Sequence, residues 1–90
     1  MPEIVEISND RWRVGLVPAS GGSVAYGKVR IGDDWVDVLR PTPEADLSEA
    51  HSNASYPLVP WSNRIREGKL QWAGKTYQLR INFADGTAIH

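Results

Sequence analysis

Ninety residues carry ten lysines and arginines against eleven aspartates and glutamates, a formal charge of -1, with 41% hydrophobic and 23% charged side chains and no cysteine. A chain of that size holds one small domain at most, and its composition is that of a folded segment, not of disorder. The balanced charge excludes the basic footprint that nucleic acid or an anionic membrane requires, and the missing thiols exclude disulfides, zinc-thiolate sites and cysteine nucleophiles. A cysteine-free chain fits a reducing compartment, and cytoplasm is the expected location.

Met1-Pro2-Glu3-Ile4-Val5-Glu6 lacks the basic, apolar pattern of a secretory leader, and nowhere do about twenty apolar residues run together. Neither secretion by that route nor a membrane span is expected. Ile4, Val5 and Ile7 precede the turn residues Ser8-Asn9-Asp10, and Trp12, Val14 and Leu16 then alternate with polar or small positions, which predicts a β-hairpin. Pro18 and Gly21-Gly22 break it. Val24 to Ile31 and Trp35 to Leu39 flank Gly32-Asp33-Asp34, a second hairpin whose glycine can take positive φ.

Between Pro41 and Pro60, four prolines and small polar residues surround Leu47, a pattern that predicts a long surface excursion with at most a short helical turn at Asp46 to Ala50. Lys69 to Trp72 and Thr76 to Ile81 flank Ala73-Gly74-Lys75 as a third hairpin. The sum is six short strands with glycine-bearing turns and no amphipathic helix: an all-β, antiparallel class. Trp12, Trp35 and Trp72 fall on strand alternation and are expected in the core. The last residues, Ala88-Ile89-His90, read as a strand cut short, so an incomplete domain is expected.

The segment richest in chemistry is Tyr56-Pro57-Leu58-Val59-Pro60-Trp61-Ser62-Asn63-Arg64-Ile65-Arg66-Glu67-Gly68. Asn63 both donates and accepts, and Arg64 presents a planar fork of donors, so the pair suits vicinal hydroxyls, while Trp61 or Tyr56 offers a flat apolar face to a sugar ring. The same residues have an ordinary structural reading: Arg64 paired with Glu67, Asn63 capping a turn, Trp61 in the core. His90 has the chemistry to hydrogen-bond a ligand or move a proton near neutral pH, but no neighbour in sequence positions it. His51 lies among small polar residues and reads as surface decoration. Among Asp33, Asp34, Asp37, Glu44 and Glu49, none sits in an apolar context of the kind a raised-pKa general acid requires. No phosphate-cradling loop, metal-ligand spacing or Ser-His-Asp arrangement is present.

Tyr56-Pro57-Leu58-Val59-Pro60, Ser62-Asn63-Arg64-Ile65, the glycine of Glu67-Gly68-Lys69, Gly74-Lys75-Thr76-Tyr77-Gln78-Leu79, Asn82 and Ala88-Ile89-His90 resemble, in order and spacing, the N-terminal part of the aldose 1-epimerase (galactose mutarotase) family. Gly21-Gly22 and Val38-Leu39-Arg40 agree more loosely. The resemblance implies that residues 1–90 are the N-terminal portion of one large mutarotase-like β-sandwich, a supersandwich, whose remaining strands lie on another chain or are missing by truncation. It implies interconversion of the α and β anomers of hexoses such as galactose or glucose, without a cofactor. By motif match, Asn63, Arg64 and His90 contact the monosaccharide. The family's acid, a later histidine, and its base, a later glutamate, have no counterpart here, so no catalytic residue is expected in these 90 residues. A non-enzymatic carbohydrate-binding β module is the alternative that the same Asn63-Arg64 pair supports, and a plain structural domain pairing its hairpins in an oligomer is a third.

Overall fold

A computed structural model describes residues 2–90 as two compact units that divide after Pro57. In the first, β1 (Val5–Ser8), β2 (Trp12–Val17), β3 (Ser23–Ile31) and β4 (Asp34–Leu39) form an antiparallel sheet in the order β1-β2-β3-β4. The second holds β5 (Ile65–Arg66), β6 (Lys69–Trp72), β7 (Lys75–Gln78) and β8 (Thr87–Ala88), paired as β5 with β8 and β6 with β7. Apart from the strands, the described residues form only three short 3-10 turns, Pro18–Ser20, Glu44–Asp46 and Ala50–Ser52. The class is all-β and antiparallel, the material from which a β-sandwich is built. Among the described residues no helix is long and apolar enough to cross a membrane.

Local turn chemistry accounts for the hairpins. Asn9 Oδ1 accepts the backbone N–H groups of Arg11 and Trp12 at 2.8 and 2.7 Å, closing the β1–β2 turn through its side chain. Gly32 at φ 63 turns β3 into β4, and Ala73 and Gly74, at φ 49 and 77, are the two central residues between β6 and β7. Two successive positive φ values match the right-handed twist of the flanking strands. The third hairpin therefore sits where the sequence places it, although β7 ends at Gln78 and not at Ile81. Six strands are expected and eight are found among the described residues, the additional two being the two-residue β5 and β8.

Two bulges shape the four-stranded sheet. Gly15 pairs with Tyr26 but Leu16 pairs with Val24, leaving Ala25 as the extra residue; Gly27 pairs with Leu39 but Lys28 with Asp37, leaving Val38. Tyr26 lies over Gly15, where a Cβ would come 2.3 Å from the ring. Its hydroxyl donates to Glu6 Oε1 at 2.9 Å, and burial first, then that carboxylate, hold the phenol above its usual pKa. Arg13 stacks on Trp35 at 4.2 Å from the ring centroid.

The buried centre of this unit is small: Val17, Ala25 and Leu47, with Tyr26 packed against them. Leu47 comes from the segment expected to run over the surface, and that segment is fastened down. Ser20 Oγ donates to the carbonyl of Leu47 at 2.6 Å, Thr42 N–H to that of Ala25 at 2.7 Å, and Val24 N–H to that of Ser55 at 2.8 Å. Arg40 Nη2 reaches the carbonyl of Ser52 at 2.9 Å. The expected helical turn at Asp46 to Ala50 is replaced by two 3-10 turns on either side of Leu47 to Glu49.

The tryptophans do not form the core. Trp12 is 46% and Trp72 72% exposed, and Trp35 is half-buried beneath Arg13. Register puts Val5 with Leu16, Ile7 with Val14, Trp12 with Val29 and Val29 with Val36 on one face of the sheet, and Ile7, Trp12 and Val36 all stand exposed there. Alternation reports which face is apolar; burial depends on what lies against it.

Gly15→Ala is expected to force the Tyr26 ring aside and destabilise the first unit by about 1–3 kcal/mol. Leu47→Ala is expected to cost about 2–4 kcal/mol, since it empties a buried site. Denaturant unfolding of both variants checks these values, and an unchanged midpoint for either contradicts the corresponding packing.

Candidate functional site

In the second unit, the antiparallel pairing of Ile65 with Ala88 and Arg66 with Thr87 joins the Asn-Arg segment to the chain that ends in His90. Arg64 immediately precedes this pairing on one side, and Ile89 immediately follows it on the other. A two-residue pair is weak by itself, and side chains reinforce it from both ends. Trp61 Nε1 donates to the carbonyl of Ala88 at 3.3 Å. Asn82 clamps the backbone of Ile89 with both ends of its amide: Nδ2 donates to the carbonyl at 3.2 Å and Oδ1 accepts the N–H at 2.8 Å. Asn82 thus fixes the residue immediately before the half-buried His90.

The β5–β6 turn closes the other side. Glu67 and Gly68 take φ values of 54 and 70, and the Gly68 N–H donates to the carbonyl of Ile65 at 3.1 Å. Gly68 is also buried: its carbonyl accepts the Leu79 N–H at 2.7 Å, and a Cβ would lie 2.6 Å from the backbone oxygen of Leu79. Both the backbone angle and the space demand glycine here. Gln78 Nε2 donates to the carbonyls of Glu67 and Leu79, each at 2.9 Å, which ties the turn to the chain after β7.

Arg64 is held through one of its terminal nitrogens. Its Nη1 donates to Asp85 Oδ2 at 2.8 Å, and its guanidinium carbon stands 5.9 Å from the Phe83 ring centroid. Asp85 is itself fixed, its Oδ1 accepting both the Thr87 hydroxyl and, at 3.1 Å, the Thr87 N–H. Those contacts hold the Asp85 carboxyl below the usual carboxylate range, the Thr87 hydroxyl first and the Arg64 guanidinium next. The pairing of Arg64 with Glu67 expected from sequence does not form. Glu67 meets Lys69 instead, at 3.3 Å, because its left-handed backbone belongs to the turn leading into β6.

Asn63 spends its side-chain oxygen on the N–H of Arg64 at 2.9 Å, which fits the turn-capping reading, and the residue is exposed. Trp61 is half-buried and anchored by its indole N–H, so it is neither enclosed core nor a loose platform. Tyr56 belongs to the first unit. His51 is exposed, its Nδ1 3.9 Å from Glu49 Oε2, in line with surface decoration. The adjacent Asn63 and Arg64 therefore share one small unit with His90. Sequence reasoning passed over Asp85, Thr87 and Phe83; the Asp-Gly-Thr string that marks a capped turn was the available signal. Among the described residues no group of three His, Asp or Glu side chains could hold a metal ion.

Residues 3–90 match the model of the aldose 1-epimerase family, and the chain belongs to that family. No curated protein matches the chain, and no solved structure does so.

Gly68→Ala is expected to destabilise the second unit by about 1–3 kcal/mol, combining the left-handed penalty with the clash against Leu79; thermal unfolding gives the value. For Asp85 the sign follows from its lowered pKa: the ionised contact is present above the usual carboxylate range and is lost as pH falls through the depressed value. Carboxyl carbon NMR should place the Asp85 midpoint below that range, and Thr87→Val should move it upward. A midpoint unmoved by that change contradicts the Thr87 contribution.

Proposed function

We propose that this chain supplies the sugar-contacting residues of an aldose 1-epimerase-like protein that interconverts the α and β anomers of hexoses such as galactose or glucose. In this reading, residues 1–90 are the N-terminal portion of one large β-sandwich whose other strands are carried outside them. Asn63 and Arg64 grip hydroxyls of the monosaccharide and His90 adds a ring nitrogen. The single observation that carries the reading is the joining of the Asn63-Arg64 segment to the Ile89-His90 segment through the Ile65–Ala88 pairing, in a chain of this family. A cytoplasmic location, inferred from the cysteine-free sequence, goes with it.

The chemistry divides the labour. Anomerisation removes the proton of the C1 hydroxyl and delivers one to the ring oxygen, at different edges of a held sugar, and well-placed acid–base groups contribute about 10² to 10⁴-fold. A guanidinium stays charged at neutral pH and an amide does not titrate, so Arg64 and Asn63 orient and do not transfer protons. The proton-transfer groups are the later histidine and glutamate that the family resemblance implies, outside these residues.

Titration of galactose and glucose into the chain, followed by NMR, is expected to show saturable shifts at Asn63, Arg64 and His90. Arg64→Ala should weaken binding at least about tenfold, the scale of a lost charge-assisted contact. Polarimetry on the 90-residue chain is expected to give the buffer rate of mutarotation. Saturable binding unaffected by Arg64→Ala overturns the site, and enzyme-like rates overturn the division of labour.

A further inference from the structure

Arg64 has five N–H donors and the unit engages only one of its terminal nitrogens. Nη1 is taken by Asp85 Oδ2 at 2.8 Å, whereas Nε and Nη2 donate to no group among the described residues, and the side chain stays 56% exposed. The carboxylate that holds it is immobilised: Asp85 sits in the turn closed by the Gly86 N–H donating to the carbonyl of Phe83 at 3.2 Å, and its second oxygen is bound twice by Thr87. Thr87 in turn belongs to β8, where it pairs with Arg66, two residues from Arg64. The loop therefore folds back onto the strand that follows the arginine it contacts.

A flexible four-bond side chain loses rotamer freedom when it grips a ligand, and holding it beforehand lowers that cost. Asp85 at Nη1 and the Phe83 ring beside it narrow the orientations open to the guanidinium and leave one donor edge open. That edge, with two parallel N–H groups, has the geometry to meet a pair of vicinal hydroxyl oxygens.

We propose that Asp85 is a positioning residue for Arg64: anchored by Thr87, it occupies Nη1 and leaves the Nε and Nη2 edge of the guanidinium presented to the hydroxyls of the monosaccharide. This rests on the functional reading above and adds the residue that makes Arg64 an organised donor. Asp85 touches no sugar and transfers no proton.

The test is a mutant cycle on sugar binding by the chain, with galactose and glucose as probes and circular dichroism confirming folding. Asp85→Asn, which keeps shape and removes charge, is expected to weaken binding about three- to five-fold, the range for a partly exposed ion pair. Thr87→Val, which leaves the Asp85 charge and the backbone N–H contact in place and removes the hydroxyl anchor, is expected to weaken binding by a smaller factor. In an Arg64→Ala background Asp85→Asn should have no further effect, and the Arg64 Nε–H signal should exchange with water faster in Asp85→Asn than in the parent.

Equal weakening by Asp85→Asn with and without Arg64 overturns the proposal, because Asp85 would then act independently of the arginine. Full binding in a folded Asp85→Asn variant, alongside lost binding in Arg64→Ala, overturns the positioning role and leaves the sugar site standing. Binding indifferent to Arg64→Ala overturns both.

Discussion

A pairing of two residues with two, Ile65-Arg66 against Thr87-Ala88, is the constraint on which the second unit turns. Strands that short have almost no intrinsic stability. They persist because two side chains bridge the segments, Trp61 to the carbonyl of Ala88 and Arg64 to Asp85, while Asn82 holds both backbone groups of Ile89 from the loop before β8. None of these contacts belongs to the ladder itself. Together they turn a weak local pairing into a fixed relation between the Asn-Arg segment and the residues that lead to His90.

The same architecture explains what could be read in advance. The hairpins are local: Asn9 bonding its own turn, Gly32 and Ala73-Gly74 adopting left-handed backbone, each encoded within a few residues. The strands β5 and β8 carry no periodicity because two residues have no period, and what makes them strands lies far off, as with Trp61 and the carbonyl 27 positions later. The family pattern points to Asn63, Arg64 and His90 as the expected sugar contacts. It could not supply the partner of Arg64, which proved to be Asp85 across a turn and not the nearby Glu67.

Burial shows the opposite bias. Large aromatic residues on alternating positions suggest an interior, yet the buried cluster is built from Val17, Ala25 and Leu47. Small residues and bulges let the strands and the loop come close, and Tyr26 settles over Gly15 because no Cβ stands in its way. Leu47 was invisible as a core residue in a proline-rich stretch; only the hydrogen bonds from Ser20, Thr42 and Val24 reveal that this stretch is folded back on the sheet.

Those hydrogen bonds are separate fastenings, joined by locally bonded 3-10 turns and not by a continuous ladder. A ladder opens in sequence from its end, but isolated fastenings can each come undone while their neighbours hold. The stretch from Arg40 to Ser55 therefore has the makings of a seam closed by individual buttons: amide exchange at Thr42 and at Val24 would follow independent local openings, and a protease would cut this stretch before the sheet yields.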